Sequence, residues 1–211
     1  MERHTFAARV LPGQKAEYRR LLGENWQTIC QLLDTCHVHN FSLWNAEDLI
    51  FAYCETEAPI DLWEAFAEVA PLWKDCIEPF SGPGQPMRLM YTDLGMIRAS
   101  KELIRHRVFM TKLVPGTEDE YKKRHDDLSA SRGGALNPGP DSNFTIWSAG
   151  GYIFGYDEID VTMEQDMTPE EKDFTIRWET RMLEIMSWIT NDVDWITKEN
   201  HVAVQKIAYH N

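Results

Sequence analysis

The chain has 211 residues, 43% of them hydrophobic and 26% charged, the composition of an ordinary globular protein. Its formal net charge of −13 argues against nucleic acid, an anionic membrane or a highly anionic substrate, because no basic stripe is available to neutralise phosphates. No run approaches the about 20 apolar residues of a spanning helix, and the start, Met1-Glu-Arg-His-Thr-Phe, has no apolar h-region, so no secretory signal is expected there.

Residues 4–11 alternate roughly in polarity and run into Pro12-Gly13, which reads as a strand and a turn. From Gln14 to about Cys36, Tyr18, Leu21, Leu22, Trp26, Ile29 and Leu33 keep a helical period. Residues 39–45 and 48–56 read as two strands joined at Asn45-Ala46-Glu47. Asp61 is placed to cap a second helix through about Ile77, carrying Trp63, Phe66, Ala70 and Trp73. Pro79 to Pro86 reads as a loop, and Met87 to Tyr91 as the short strand that closes the unit.

The second half repeats the first. A shift of 103 carries Pro12-Gly13 onto Pro115-Gly116, Glu17-Tyr18 onto Glu120-Tyr121 and Asn40-Phe41 onto Asn143-Phe144. Trp44 falls on Trp147, and Phe51, Tyr53 and Glu55 fall on Phe154, Tyr156 and Glu158, without a gap. Strands are therefore expected at 105–113, 142–148, 151–159 and 202–209, with helices from about Glu118 and from Pro169 to Trp188. Each half reads as a β-α-β-β-α-β unit, an α+β ferredoxin-like arrangement with both helices on one face of an antiparallel sheet. The expected units are 1–95 and 101–211, joined by a linker from Thr92 to Ser100. Each is expected to use its open sheet face to cover the other, giving an intramolecular pseudo-dimer.

The differences between the copies point to chemistry. Leu22 becomes His125, four residues after Tyr121 and so on the same helix face. The end of the first helix becomes Ser131-Arg-Gly-Gly-Ala-Leu-Asn-Pro-Gly-Pro-Asp141, which cannot continue a helix. That helix is expected to stop near Ala130, either simply shortened or giving way to a binding loop. Cys30, Cys36, Cys54 and Cys76 all lie in the first copy with no Cys-x-x-Cys pair, and read as reduced thiols of a cytoplasmic protein. His37 and His39 share a face but lack a third ligand, so no metal is expected. Eight Trp, nine Phe and seven Tyr supply rings for the cores and for a planar or sugar ligand.

A strand, Pro-Gly, Glu-Tyr-x-x-x-His on a helix, then Asn-aromatic-x-Ile/Leu-aromatic on a strand: this order resembles the L-rhamnose mutarotase family in both copies. The resemblance implies a dimeric α/β barrel, here with the two subunits joined in one chain. It implies His125 as the proton donor, with Leu22 in its place in copy one, and Tyr121 and Tyr18 as sugar-contacting tyrosines. The aromatic after asparagine, usually Tyr in the family, is Phe144 and Phe41 here. The family's late tryptophan pair is reduced to Trp178 and Trp73. The expected site is thus His125 and Tyr121 as catalytic groups, with Asn143, Phe144, Trp147, Trp178, Tyr18, Phe41 and Trp73 binding substrate.

The implied reaction opens and recloses a sugar hemiacetal by proton transfer and needs no metal, nucleotide or other cofactor. Two other readings stay open: a cofactor-free monooxygenase or cyclase of the same barrel type acting on an aromatic substrate, and a non-catalytic sugar-binding module. The expected partners are a small sugar and, beyond the internal pseudo-dimer, further copies of the chain.

Overall fold

A computed structural model of the chain describes residues 1–133, 138–191 and 196–211. The repeat is visible in it as a repeat of strand register. The first sheet is built from β1 (Glu2–Val10), β2 (Val38–Ala46) and β3 (Leu49–Thr56), with helix α1 (Lys15–Thr35) between β1 and β2. The second is built from β6 (Ile104–Leu113), β7 (Asp141–Ala149) and β8 (Tyr152–Asp160), with α3 (Glu118–Ser131) between β6 and β7. Thr5 pairs with Tyr53 in one, and Val108 with Tyr156, 103 residues on, in the other. Both hairpins slip register at the repeated asparagine, and Asn40 and Asn143 both sit at φ 54°. That is a β-bulge, and asparagine tolerates the left-handed conformation it demands.

The remaining elements depart from expectation. The helix predicted from Asp61 to Ile77 is only α2 (Leu62–Ala65) and a 3-10 turn at Ala70–Trp73. Asp61 caps it as expected, its Oδ1 accepting from Trp63 N at 2.9 Å. Pro71 then removes a helical donor and disfavours a helical residue before it. The second-copy counterpart, α4 (Pro169–Met182), starts in a capping box between Thr168 and Glu171 and stops six residues short of the predicted Trp188. Met186–Trp188 becomes β9, paired with β6. In the first sheet Ile77–Pro79 does the same as β4, paired with β1. These two short strands, unforeseen in the sequence, are the fourth strands of the β-α-β-β-α-β units.

The strands expected to close the units go elsewhere. β5 (Arg88–Gly95) takes the edge of the second sheet, beside β7, and β10 (Gln205–His210) takes the edge of the first, beside β2. The sheet orders are β10-β2-β3-β1-β4 and β5-β7-β8-β6-β9. The compact units are accordingly Met1–Met87 with Gln205–Asn211, and Arg88–Val204. The boundary expected at residues 95–101 falls at 87/88 instead, and the first part of the expected linker, Thr92 to Gly95, is strand. Each unit has its own core between sheet and helices. The first gathers Tyr18, Ile29, Leu33, Leu43, Ile50 and Trp73; the second gathers Met90, Tyr91, Phe109, Tyr121, Ile146 and Met182. All four cysteines are free thiols. Part of the glycine-rich stretch, residues 134–137, lies outside the described residues.

Candidate active site

Helix α3 opens with Glu118, Asp119 and Glu120 in its first turn, where carboxylates complement the positive helix end. The spacing of four then turns Tyr121 and His125 toward the sheet, where they are 2% and 4% exposed. Their rings are stacked, 4.5 Å apart with 26° between planes. His125 Nδ1 lies 3.1 Å from the Tyr121 carbonyl oxygen. A carbonyl only accepts, so the proton of the neutral imidazole is assigned to Nδ1, and Nε2 presents a lone pair. Burial is the main force pushing the His125 pKa down, to about 4, with Arg132 and Lys122 adding to it against the Tyr121 carbonyl and Asp126. The imidazole is neutral near pH 7.

Other rings enclose it. Trp178 of α4 meets His125 edge-on at 5.0 Å, and Tyr91 of β5 lies 5.1 Å away. Phe144 of β7 touches Tyr91 at 5.5 Å, and Phe109 of β6 touches Phe144 at 6.2 Å. Phe144 and Trp178 are half-buried, whereas His125 itself is almost fully enclosed. Arg124, one residue before His125, holds α4 in position. It pairs with Glu120 at 2.7 Å and Glu184 at 3.0 Å and donates to the carbonyl of Arg181, one turn past Trp178.

The sheet beneath carries two polar pairs. Arg132, just past the end of α3, donates from Nη1 to the Tyr91 hydroxyl at 2.9 Å and to Asp93 Oδ2 at 2.8 Å. Arg107 on β6 bonds Asp157 on β8 and lies 3.3 Å from Asp141. Burial, followed by Asp141, pushes the Asp157 carboxyl up to about 8 against the pull of Arg107. A groove of about 480 Å³ at the start of α3, lined by residues including Lys112, Asp119 and Tyr152, contains none of these groups.

Of the residues expected to form the site, the fold brings His125, Tyr121, Phe144 and Trp178 together. Asn143 is not among them. Its amide donates to Glu158 Oε1 at 3.1 Å, which also accepts from Tyr156 at 3.0 Å. Strand alternation puts that group on the opposite sheet face. Trp147 lies on that face too, since its neighbour Ile146 belongs to the core beneath the helices. The same arrangement in unit one, Tyr53 to Glu55 at 2.6 Å and Asn40 to Glu55 at 3.4 Å, explains why both copies keep these residues. It is structural.

Tyr18 and Trp73 are buried in the apolar core of unit one, and Phe41 is packed against it. Phe41 lies 6.1 Å from Trp26. The Tyr18 hydroxyl and Trp73 Nε1 are buried without partners, and burial drives the Tyr18 pKa upward. They line a core, not a site. Sequence reading missed Tyr91, Asp93, Arg132, Arg107 and Asp157. Tyr91 and Asp93 stand at the end of the first repeat in the sequence. The strand that carries them reaches His125 only because it joins the other sheet.

The L-rhamnose mutarotase family model matches residues 3–88 and 106–208. No curated protein matches the chain. Among solved structures, a provisionally named monooxygenase from Fusobacterium nucleatum is similar at 9% identity and a TM-score of 0.46, covering 99% of this chain and 93% of its own.

Proposed function

This chain belongs to the L-rhamnose mutarotase family, and from that premise we propose that it interconverts the α and β anomers of L-rhamnose or a related aldose, with its working site in the second unit. The observation that carries the reading is a neutral imidazole with a free Nε2 lone pair, enclosed by Tyr121, Tyr91 and Trp178. The half-buried rings of Phe144 and Trp178 offer apolar faces to the C–H face of a sugar.

His125 Nε2 takes the proton of the anomeric hydroxyl as the bond from C1 to the ring oxygen breaks. A second donor protonates the ring oxygen and the aldehyde forms. The C1–C2 bond rotates, and the same steps in reverse close the ring on the other face. The imidazolium formed on the way is a strong acid in this setting, because burial disfavours its charge, so it returns the proton readily. Tyr121 assists by fixing the imidazole: its carbonyl sets the tautomer and its ring sets the plane.

The direct test is saturation-transfer NMR between the two anomers of L-rhamnose and of a panel of aldoses. Exchange above the buffer rate at micromolar protein is the expected result. Buffer rates for every sugar in the panel reject the reading.

A further inference from the structure

Ring opening needs two proton sites, one for the anomeric hydroxyl and one for the ring oxygen, and a single lone pair at His125 fills only the first. We infer that the Tyr91 hydroxyl fills the second, donating its proton to the ring oxygen, with Arg132 as its positioning residue. The inference rests on the mutarotase reading of the site.

Three observations support it. The first is place. Tyr91 lies against both the imidazole (5.1 Å) and Phe144 (5.5 Å), so a sugar ring seated on Phe144 and Trp178 beside His125 meets the edge of this phenol. The second is hydrogen bonding. The Tyr91 oxygen already accepts from Arg132 Nη1 at 2.9 Å, which leaves its O–H to donate. The fold offers that proton only a long contact to Asp93 at 3.4 Å, and Asp93 is itself held by Arg132 at 2.8 Å. A ligand oxygen is a better acceptor than a carboxylate at that distance.

The third is coincidence. At the matching register of unit one, Ala208 pairs with Leu43 as Tyr91 pairs with Ile146, and His210 pairs with Phe41 as Asp93 pairs with Phe144. Arg132 falls on Ile29 and His125 on Leu22. The phenol, its guanidinium and its carboxylate occur only in the unit that has the imidazole.

Tyr121 is the weaker candidate. Burial alone acts on its hydroxyl, raising its pKa, with no cation to offset it. Burial also raises Tyr91, to about 12, but Arg132 opposes it. The charged or titratable groups against Tyr91 are Asp93 on its own strand, His125 of α3 and Arg132 just past the end of that helix.

The step balances. The Tyr91 O–H bond breaks and its proton goes to the ring oxygen, which keeps the electron pair of the broken bond to C1. The anomeric O–H bond breaks toward His125 Nε2, and C1=O forms. A phenolate and an imidazolium result, the former stabilised by the Arg132 guanidinium, and ring closure restores both.

Anomer-exchange kinetics of the full chain test this. Tyr91→Phe is expected to lower kcat about 100-fold, the usual size of a lost general acid, with KM nearly unchanged. Arg132→Gln, at an exposed side chain, is expected to lower kcat about tenfold and to move the alkaline limb of its pH profile upward, with Tm unchanged. A Tyr91→Phe enzyme with wild-type kcat, alongside an inactive His125→Ala, overturns the role of Tyr91 and leaves the mutarotase reading intact. Should Tyr91→Phe fail to fold, an unchanged kcat in Arg132→Gln overturns the role instead. A wild-type protein that exchanges no aldose removes the premise for both.

Discussion

The helix-facing rows of the two sheets can be read against each other strand by strand. In unit one the first row is His210, Phe41, Cys54 and His4; in unit two it is Asp93, Phe144, Asp157 and Arg107. The next row is Ala208, Leu43, Ala52 and Phe6 against Tyr91, Ile146, Gly155 and Phe109. Backbone register, bulge and pairing are the same. Unit one fills the space under its helix with Leu22, Trp26, Ile29 and Phe41 and turns it into core. Unit two keeps the phenylalanine as Phe144 but has His125 for Leu22, Ser129 for Trp26 and Arg132 for Ile29, with Tyr91 in the place of Ala208. A handful of side chains on one repeated strand register separates a packing layer from the proposed site.

The sharpest way to break this comparison is to make the halves alike. His125→Ala is expected to reduce anomer exchange by at least about 100-fold, the scale of a lost general acid or base. Leu22→Ala, in the matching place, is expected to leave the rate alone and cost about 2 kcal/mol of stability as a half-buried truncation. Parallel loss of activity in both variants would mean the units share the work.

A second contrast is in stability against pH. The unfolded His125 takes a proton near pH 6.5 and the folded one only near 4. Its neutral form therefore contributes stability that is complete above about pH 6.5 and is lost as the pH falls to 4, by at most about 3 kcal/mol. Urea denaturation at pH 7 and pH 4.5 measures it. His125→Leu, which copies unit one, is expected to shrink the difference, and an unchanged difference would place its cause in another group.

The smallest expected effect concerns Gly155. A Cβ there would collide with the Phe109 ring, whereas unit one has Ala52. Gly155→Ala is expected to destabilise by about 1–3 kcal/mol through overpacking, visible as a lower Tm. It is also expected to raise KM by displacing Phe109 against Phe144. A neutral result would show that the second core yields as freely as the first.

Local signals in the sequence carried the central strands, α1, α3 and the helix-borne pair Tyr121 and His125, because period, turn residues and repeat all agreed there. They failed where tertiary pairing decides. The run from Met182 to Trp188 suits a helix as well as a strand, and the open edge of β6 chose the strand. Asn143 and Trp147 belong to the strand motif that carries the family resemblance, yet they lie on the sheet face that holds Glu158, away from His125. By sequence position Tyr91 closes the first unit, since nothing in Arg88–Gly95 states which sheet edge it will occupy. The most informative signal was a difference between the copies, Leu22 against His125.

That edge choice governs how the polypeptide can be divided. A cut at the sequence repeat, near residue 100, leaves the leading fragment without its outermost strand and burdens it with β5, whose hydrogen-bonding partner is on the trailing piece. Deleting only Gln205–Asn211 would bare the N–H and C=O groups of β2 in the half most distant along the chain, an open template for aggregation. Neither repeat by itself carries all five strands of a sheet, and a permutant that respects the compact units joins residue 205 onward to residue 1 and opens the chain between 87 and 88.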